Sequence, residues 1–285
     1  MMGSRFARTL LRTFVLLVVS YAVLGVVART TSVIDRYFIF FPERTVSRDP
    51  GDRGLGFEDV YFTASDGVHL NGWFVPGRGD TTLVWLHGNA GNISDRVDNI
   101  TGVHEALGVN VFIFDYRGYG RSEGTPTEKG TYLDAAAALE YLRSRGDVDP
   151  ERLVLFGRSL GCAVAAELAS QTDVHGVVLE SPFTSIRAMA KRAYPFLPGI
   201  GSFVRTRYDT LAKVPGIRAP VMVLHGDRDD IAPFDMGEAV WKAATPPKRF
   251  YRIEGAGHND TYAVGGAPYY RTLGEFLDSL DGDDG

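Results

Sequence analysis

Gly157-Arg158-Ser159-Leu160-Gly161 is the segment with the clearest chemical potential. It follows an apolar run, Leu153 to Phe156, and precedes a helix-like stretch from Leu160 to Ala169, so it reads as a strand-to-helix turn. On such a turn the glycines permit a tight, close-packed bend that presents the serine oxygen at the sheet edge. Ser159 is therefore a candidate nucleophile, the plainer alternative being a capping serine on an ordinary Gly-rich turn. A serine hydroxyl needs a base, and the base needs an orienting group. Of six histidines, His258 lies in the Gly-rich loop Gly255 to Asn259, just after an apolar run that ends at Ile253. Between Ser159 and His258, the loop after Val221 to Leu224 carries three acids: Asp227, Asp229 and Asp230. Asp229 is the first choice, being far enough past the strand end to turn back toward His258, with Asp227 and Asp230 as its competitors. An oxyanion needs two N–H donors. The candidates are Leu160, at the positive end of the helix behind Ser159, and Asn89, in the loop His87 to Asn92 after the run Leu83 to Leu86.

Other polar residues have blander readings. His87 and His225 each end an apolar run just before a glycine, which suits a hydrogen-bonded structural imidazole. A metal site built from His225, Asp227 and Asp229 is conceivable but leaves the Ser159 turn unexplained. Asp115 to Ser122 reads as a structural loop beside the site, and Cys162, one turn into the helix behind Ser159, as a buried packing thiol. The set calls for no cofactor and no metal.

The elements that must position these residues follow from hydrophobic patterning. Val60 to Thr63 and Leu70 to Val75 flank the turn Ser65-Asp66-Gly67 and predict a hairpin. Leu83 to Leu86, Val111 to Phe114, Leu153 to Phe156, Gly176 to Leu179 and Val221 to Leu224 are continuous apolar runs, as in strands buried on both faces of a parallel sheet. Phe250 to Ile253 completes about eight strands. Helical stretches at Thr131 to Arg145, Leu160 to Ala169 and from about Pro268 to Leu280 predict βαβ units, hence an α/β fold with helices on both faces. Residues 182–219, rich in proline and aromatics, are too long for a simple connection and predict a small helical lid over the carboxyl ends of the strands.

The chain has 285 residues, 45% hydrophobic, 12% aromatic and 23% charged, a composition that excludes disordered, collagen-like and coiled-coil classes. Of the net charge of -5, the C-terminal Asp278, Asp281, Asp283 and Asp284 account for four, and no basic footprint for nucleic acid is left. One cysteine excludes an internal disulfide. Thr13 to Ala28 is uncharged and apolar, preceded by Arg5, Arg8 and Arg12. It predicts a single membrane-spanning helix with its N-terminus in the cytoplasm and the remainder exoplasmic. Small residues at Ala22 and Ala28 keep open a cleaved signal peptide and a secreted protein. The expected organisation is therefore an anchor or signal over 1–36, a juxtamembrane linker over 37–56, one domain over 57–280 and an acidic tail over 281–285. The aromatic run Tyr37 to Pro42 suits either a membrane interface or packing on the domain.

The His87-Gly88 loop, Asp115 to Gly120, GRSLG, the Asp229 loop and His258, in this order, resemble the α/β-hydrolase superfamily over roughly Phe57 to Leu280. The segment Ser181 to Ser185 and the pair Tyr208-Asp209 are similar to its serine-aminopeptidase-like, small-lid subgroup, which includes membrane-anchored members and some protein depalmitoylases; this chain lacks the N-terminal cysteine cluster of the latter. The resemblance implies a cofactor-free serine hydrolase acting on a small-molecule or acylated substrate. Esters or thioesters are the expected substrates, with short peptides or amides as the alternative. A binding or scaffold protein on an idle hydrolase fold is the rival from another class, and would be expected to lack a triad member.

Overall fold

In the computed structural model, residues 2–30, 39–197, 201 and 204–282 are described. Of the segments delineated above, residues 31–38, 198–200, 202–203 and 283–285 lie outside the described residues. Eight strands form one sheet: β1 (Glu58–Thr63), β2 (His69–Val75), β3 (Thr82–Leu86), β4 (Asn110–Phe114), β5 (Leu153–Arg158), β6 (Gly176–Glu180), β7 (Val221–Gly226) and β8 (Lys248–Ile253). Their spatial order is β8-β7-β6-β5-β3-β4-β2-β1. Only β2 runs against its neighbours, pairing antiparallel with both β1 and β4. The apolar runs are the central strands, and every residue of β3 to β7 is buried. That is why they lack the alternation of a half-exposed strand.

The helices are α1 (Met2–Thr30), α2 (Val97–Leu107), α3 (Glu128–Ser144), α4 (Leu160–Gln171), α5 (Ile186–Ala193), α6 (Thr210–Lys213), α7 (Phe234–Ala243) and α8 (Thr261–Asp278). Two cores lie on opposite faces of the sheet. One, beneath α3 and α4, includes Leu86, Phe114, Leu139 and Val164; the other, beneath α2 and α8, includes Trp85, Phe156, Ile100 and Leu273. The closing helix starts earlier than the sequence suggested, at Thr261, because two helices abut across a break at Gly266 (φ 50°, ψ -141°). Pro268 then falls in the first turn of the second part, where its missing N–H costs nothing. Residues 182–219 carry α5 and α6, with Phe183 buried ahead of α5 and Tyr208 buried ahead of α6.

Helix α1 contains the one segment among the described residues long and apolar enough to cross a membrane, Thr9 to Val27, with mean hydropathy 2.3. Nineteen residues rise about 29 Å, close to the hydrocarbon thickness of a bilayer. Its Phe14, Leu16 and Leu17 are exposed, whereas a helix in a soluble core hides such residues. Beyond it, Ile39 and Phe40 are buried on the domain while Phe41 is exposed. Phe41-Pro42 pairs in parallel with Ala90-Gly91 of the loop after β3, and Asn92 Nδ2 donates to the carbonyls of Glu43 (3.1 Å) and Thr45 (2.8 Å). At the other terminus Asp281 pairs with Arg152 and His175.

Candidate active site

Strand β5 ends at Arg158 and helix α4 begins at Leu160, leaving Ser159 alone at the corner with φ 52° and ψ -114°. A non-glycine residue held at positive φ is strained and persists only where its surroundings fix it. Here the Ser159 N–H donates to the Glu180 carbonyl (2.9 Å) and its carbonyl accepts from the Cys162 N–H (3.0 Å). The flanking glycines are required by close approach. A Cβ on Gly157 would lie 2.5 Å from the Gly161 carbonyl oxygen, and one on Gly161 would lie 1.9 Å from that of Leu86 at the end of β3.

His258, in the loop between β8 and α8, reaches the corner. Its Nε2 is 2.9 Å from Ser159 Oγ, and its Nδ1 is 2.7 Å from Asp229 Oδ2. A carboxylate only accepts, so the ring proton sits on Nδ1 and Nε2 presents its lone pair to the serine hydroxyl. Asp229 Oδ1 is held by the N–H groups of Ile231 (3.0 Å) and Ala232 (2.8 Å). Burial alone would raise this carboxyl, but hydrogen bonds from His225 and His258 and the Ala232 N–H outweigh it and hold Asp229 well below the usual carboxylate range. The two competing acids point elsewhere. Asp227 binds Arg252 (2.7 Å) and the Gly255 N–H (2.8 Å), so its partner is Arg252 rather than the adjacent Arg228, and Asp230 is exposed.

The loop after β3 lies against the corner from the other side: a Cβ on Gly88 would be 3.6 Å from Ser159 Cβ. The next residue, Asn89, uses its side chain to bind the Ile39 carbonyl (2.5 Å), and its own carbonyl accepts from Tyr119 Oη (2.7 Å) and the Phe41 N–H (3.3 Å). The side chain and the carbonyl of Asn89 are thus both engaged by neighbours. Leu160 is the first residue of α4, where an N–H has no acceptor within the helix.

His87 and His225 are buried structural rings. His87 Nδ1–H donates to the Gly88 carbonyl (2.6 Å), and burial, reinforced by Arg96, pushes its pKa down to about 3, so the ring is neutral. His225 Nε2–H donates to the Ala232 carbonyl (2.7 Å) and lies 3.3 Å from Asp229 Oδ2, closing the acid's surroundings from behind. In the Asp115 to Ser122 loop, Arg117 is clamped between Asp134 (2.7 Å) and Asp66 (2.8 Å). Burial raises Asp115 to about 7. Cys162 Sγ–H points at the carbonyls of Gly157 and Glu180 (both 3.1 Å), and burial pushes the thiol up.

A second cluster escaped the sequence reading. Arg158 Nη2 donates to the His258 carbonyl (3.0 Å) and its Nε to Glu180 Oε1 (3.0 Å). Glu180 also accepts from Thr261 Oγ1 (2.6 Å) and Tyr269 Oη (2.5 Å). The signals were present: an arginine next to the serine and a glutamate closing an otherwise apolar strand. A buried arginine and a buried glutamate on adjacent strands need one another.

The family model described as "Alpha/beta hydrolase family" matches residues 74–213. An uncharacterised protein of Mycobacterium tuberculosis is 38% identical over 246 residues, covering 85% of this chain and 86% of its own. The Arabidopsis thaliana alpha/beta hydrolase domain-containing protein WAV2 is 38% identical over 249 residues, covering 80% and 81%. Among solved structures, an esterase of Pyrococcus furiosus superposes with a TM-score of 0.72 at 24% identity, over 86% of this chain and 99% of that one.

Proposed function

From the premise that the chain belongs to the alpha/beta hydrolase family, we propose that it is a membrane-anchored serine hydrolase of carboxylic acyl esters or thioesters, with Ser159, His258 and Asp229 as its catalytic triad. The observation that carries this reading is the unbroken chain from Asp229 Oδ2 through His258 to Ser159 Oγ, 2.7 and 2.9 Å, with the serine on a strained corner. His258 Nε2 takes the Ser159 proton as Oγ attacks the carbonyl carbon. The N–H groups of Asn89 and Leu160 hold the oxyanion, and Asp229 orients the ring and stabilises the imidazolium. The tetrahedral intermediate collapses as the leaving alcohol or thiol receives the proton from His258. Water, deprotonated by the same ring, then releases the acid and restores Ser159. An apolar acyl group suits the aromatic lid and an N-terminal helix of membrane length. The helix would anchor a domain spanning 57–280, lid 182–219 included, on the exoplasmic side, with Arg5, Arg8 and Arg12 left in the cytoplasm.

The test is fluorophosphonate labelling of the full chain in detergent, mapped by peptide analysis. Labelling at Ser159 that is lost in Ser159→Ala and strongly slowed in His258→Ala is the expected result. A folded chain that does not label would overturn the reading.

A further inference from the structure

The chain that follows the apolar helix does not simply tether the domain, for from Phe40 to Arg44 it builds one side of a groove and pairs with the loop after β3, whose Gly88 abuts Ser159. Phe40, Phe41 and Pro42 face Gly124, Thr125 and Pro126 across an open cavity of about 470 Å³, within the size range of small-molecule sites. Arg44 lines one end and donates through Nη1 to the Ser122 carbonyl (2.6 Å).

Three observations connect this groove to the reaction. Its wall is continuous with the loop after β3: the Phe41 N–H bonds the Asn89 carbonyl and the Asn89 side chain bonds the Ile39 carbonyl. The loop that carries the opposite wall is fixed to both, since Tyr119 Oη donates to the Asn89 carbonyl and the Gly120 N–H to the Glu43 carbonyl of the strap (2.9 Å). Gly88, one residue earlier, abuts Ser159. The strap that walls the groove and the residue assigned as an oxyanion donor are therefore joined directly, through the side chain and carbonyl of Asn89. Thirteen positions separate Val27 from Phe40, at most about 45 Å of extended chain, which keeps the groove within reach of the bilayer surface.

We propose that this groove is the acyl subsite, taking the hydrocarbon chain of a lipid-derived ester or thioester whose carbonyl sits at Ser159, with the Phe40 to Pro42 strap as its membrane-side wall. This rests on the serine-hydrolase reading. It assigns the strap a direct part in substrate choice, and makes Thr125 and Phe41 determinants of chain length. Thr125 and Phe41 are exposed, so changing them leaves the packed interior intact.

The test uses the full chain in detergent and the p-nitrophenyl esters of acetate and octanoate. Each methylene sheltered in the groove contributes up to about fourfold in kcat/KM, so the octanoate-to-acetate ratio is expected to be large. Thr125→Trp fills the groove and is expected to lower that ratio at least tenfold; Phe41→Ala removes one wall and lowers it several-fold. Fluorophosphonate labelling of the parent chain separates the two levels of the argument. Without labelling at Ser159 the hydrolase reading fails and takes the subsite with it. With labelling, a parent that does not turn over octanoate, or a ratio within twofold of the parent in both variants, overturns the subsite alone.

Discussion

At the scale of single residues, the Asp229 loop shows how geometry selects one acid from three that sequence leaves adjacent. Asp229 sits between two rings, His258 in front and His225 behind, with two backbone N–H groups on its other oxygen. Asp227, two residues earlier, is spent on Arg252 and the Gly255 N–H. Asp229→Asn is therefore expected to lower kcat/KM on p-nitrophenyl esters by about 10⁴-fold, because an amide can donate to Nδ1 and favour the wrong tautomer. Asp227→Asn is expected to stay within a few-fold, and equal losses in the two variants would remove Asp229 from its role. A second residue-scale expectation concerns pH. Asp115 is pushed up to about 7 by burial, while its unfolded value is about 3.9. Between those values the folded chain binds the extra proton, so this group's contribution to stability falls as pH rises from about 4 to about 7 and levels off above. Thermal unfolding of Asp115→Asn compared with the parent chain checks the sign: the difference in Tm should move in the variant's favour as pH rises through this window. No pH dependence in that difference would contradict it.

At the scale of elements, the site is held by a brace across β5, β6 and the start of α8. Arg158 on β5 meets Glu180 on β6, Glu180 takes the hydroxyls of Thr261 and Tyr269 on α8, and Arg158 Nη2 grips the carbonyl of His258 itself. His258 thus rides on a loop fastened at its own backbone to the strand that ends just before Ser159. Breaking one half of a buried pair strands the other charge, at a cost of about 3–5 kcal/mol. Glu180→Gln is expected to lower Tm and to slow acylation, read as fluorophosphonate labelling rate. The double variant Arg158→Met with Glu180→Leu separates the two roles. It should regain part of the lost Tm, since no charge is left buried, yet keep the slow labelling, since nothing holds the His258 carbonyl. A double variant that recovers both would show the brace to be structural only. The turn motif marks the serine and leaves the neighbouring position open, so the signals of Arg158 and Glu180 become a brace only once strands β5 and β6 are adjacent. The strands themselves were legible for the opposite reason, since burial on both faces leaves a continuous apolar run that needs no partner to be recognised. Patterning predicts the closing helix only from about Pro268, whereas the earlier part from Thr261 ends at a Gly266 break that patterning does not register.

At the scale of the whole molecule, the apolar helix and the hydrolase domain are joined by a segment that sequence marks only as aromatic, then polar. Its Ile39 and Phe40 are buried on the domain and its backbone pairs with the loop beside Ser159, contacts between residues some 50 positions apart that no local pattern encodes. The consequence is that the chain is fixed to the domain from Ile39 onward. What the helix itself does is decided by two competing physical outcomes. A 19-residue segment of mean hydropathy 2.3 favours a retained span, while Ala22 and Ala28 offer cleavage sites. Retention is expected. Expressed in a bacterial host, the chain should remain in the membrane fraction after alkaline carbonate washing, and N-terminal sequencing of that material should begin at or next to Met1. Replacing Leu16 and Leu17 together by arginine puts two charges at the centre of the span, each costing about 2.5–3.5 kcal/mol on insertion, and should release the protein from the washed membranes. Sequencing that begins just after Ala22 or Ala28 would show a signal peptide instead. The strap would then belong to a free protein, and its pairing with the loop after β3 would serve the site without the bilayer.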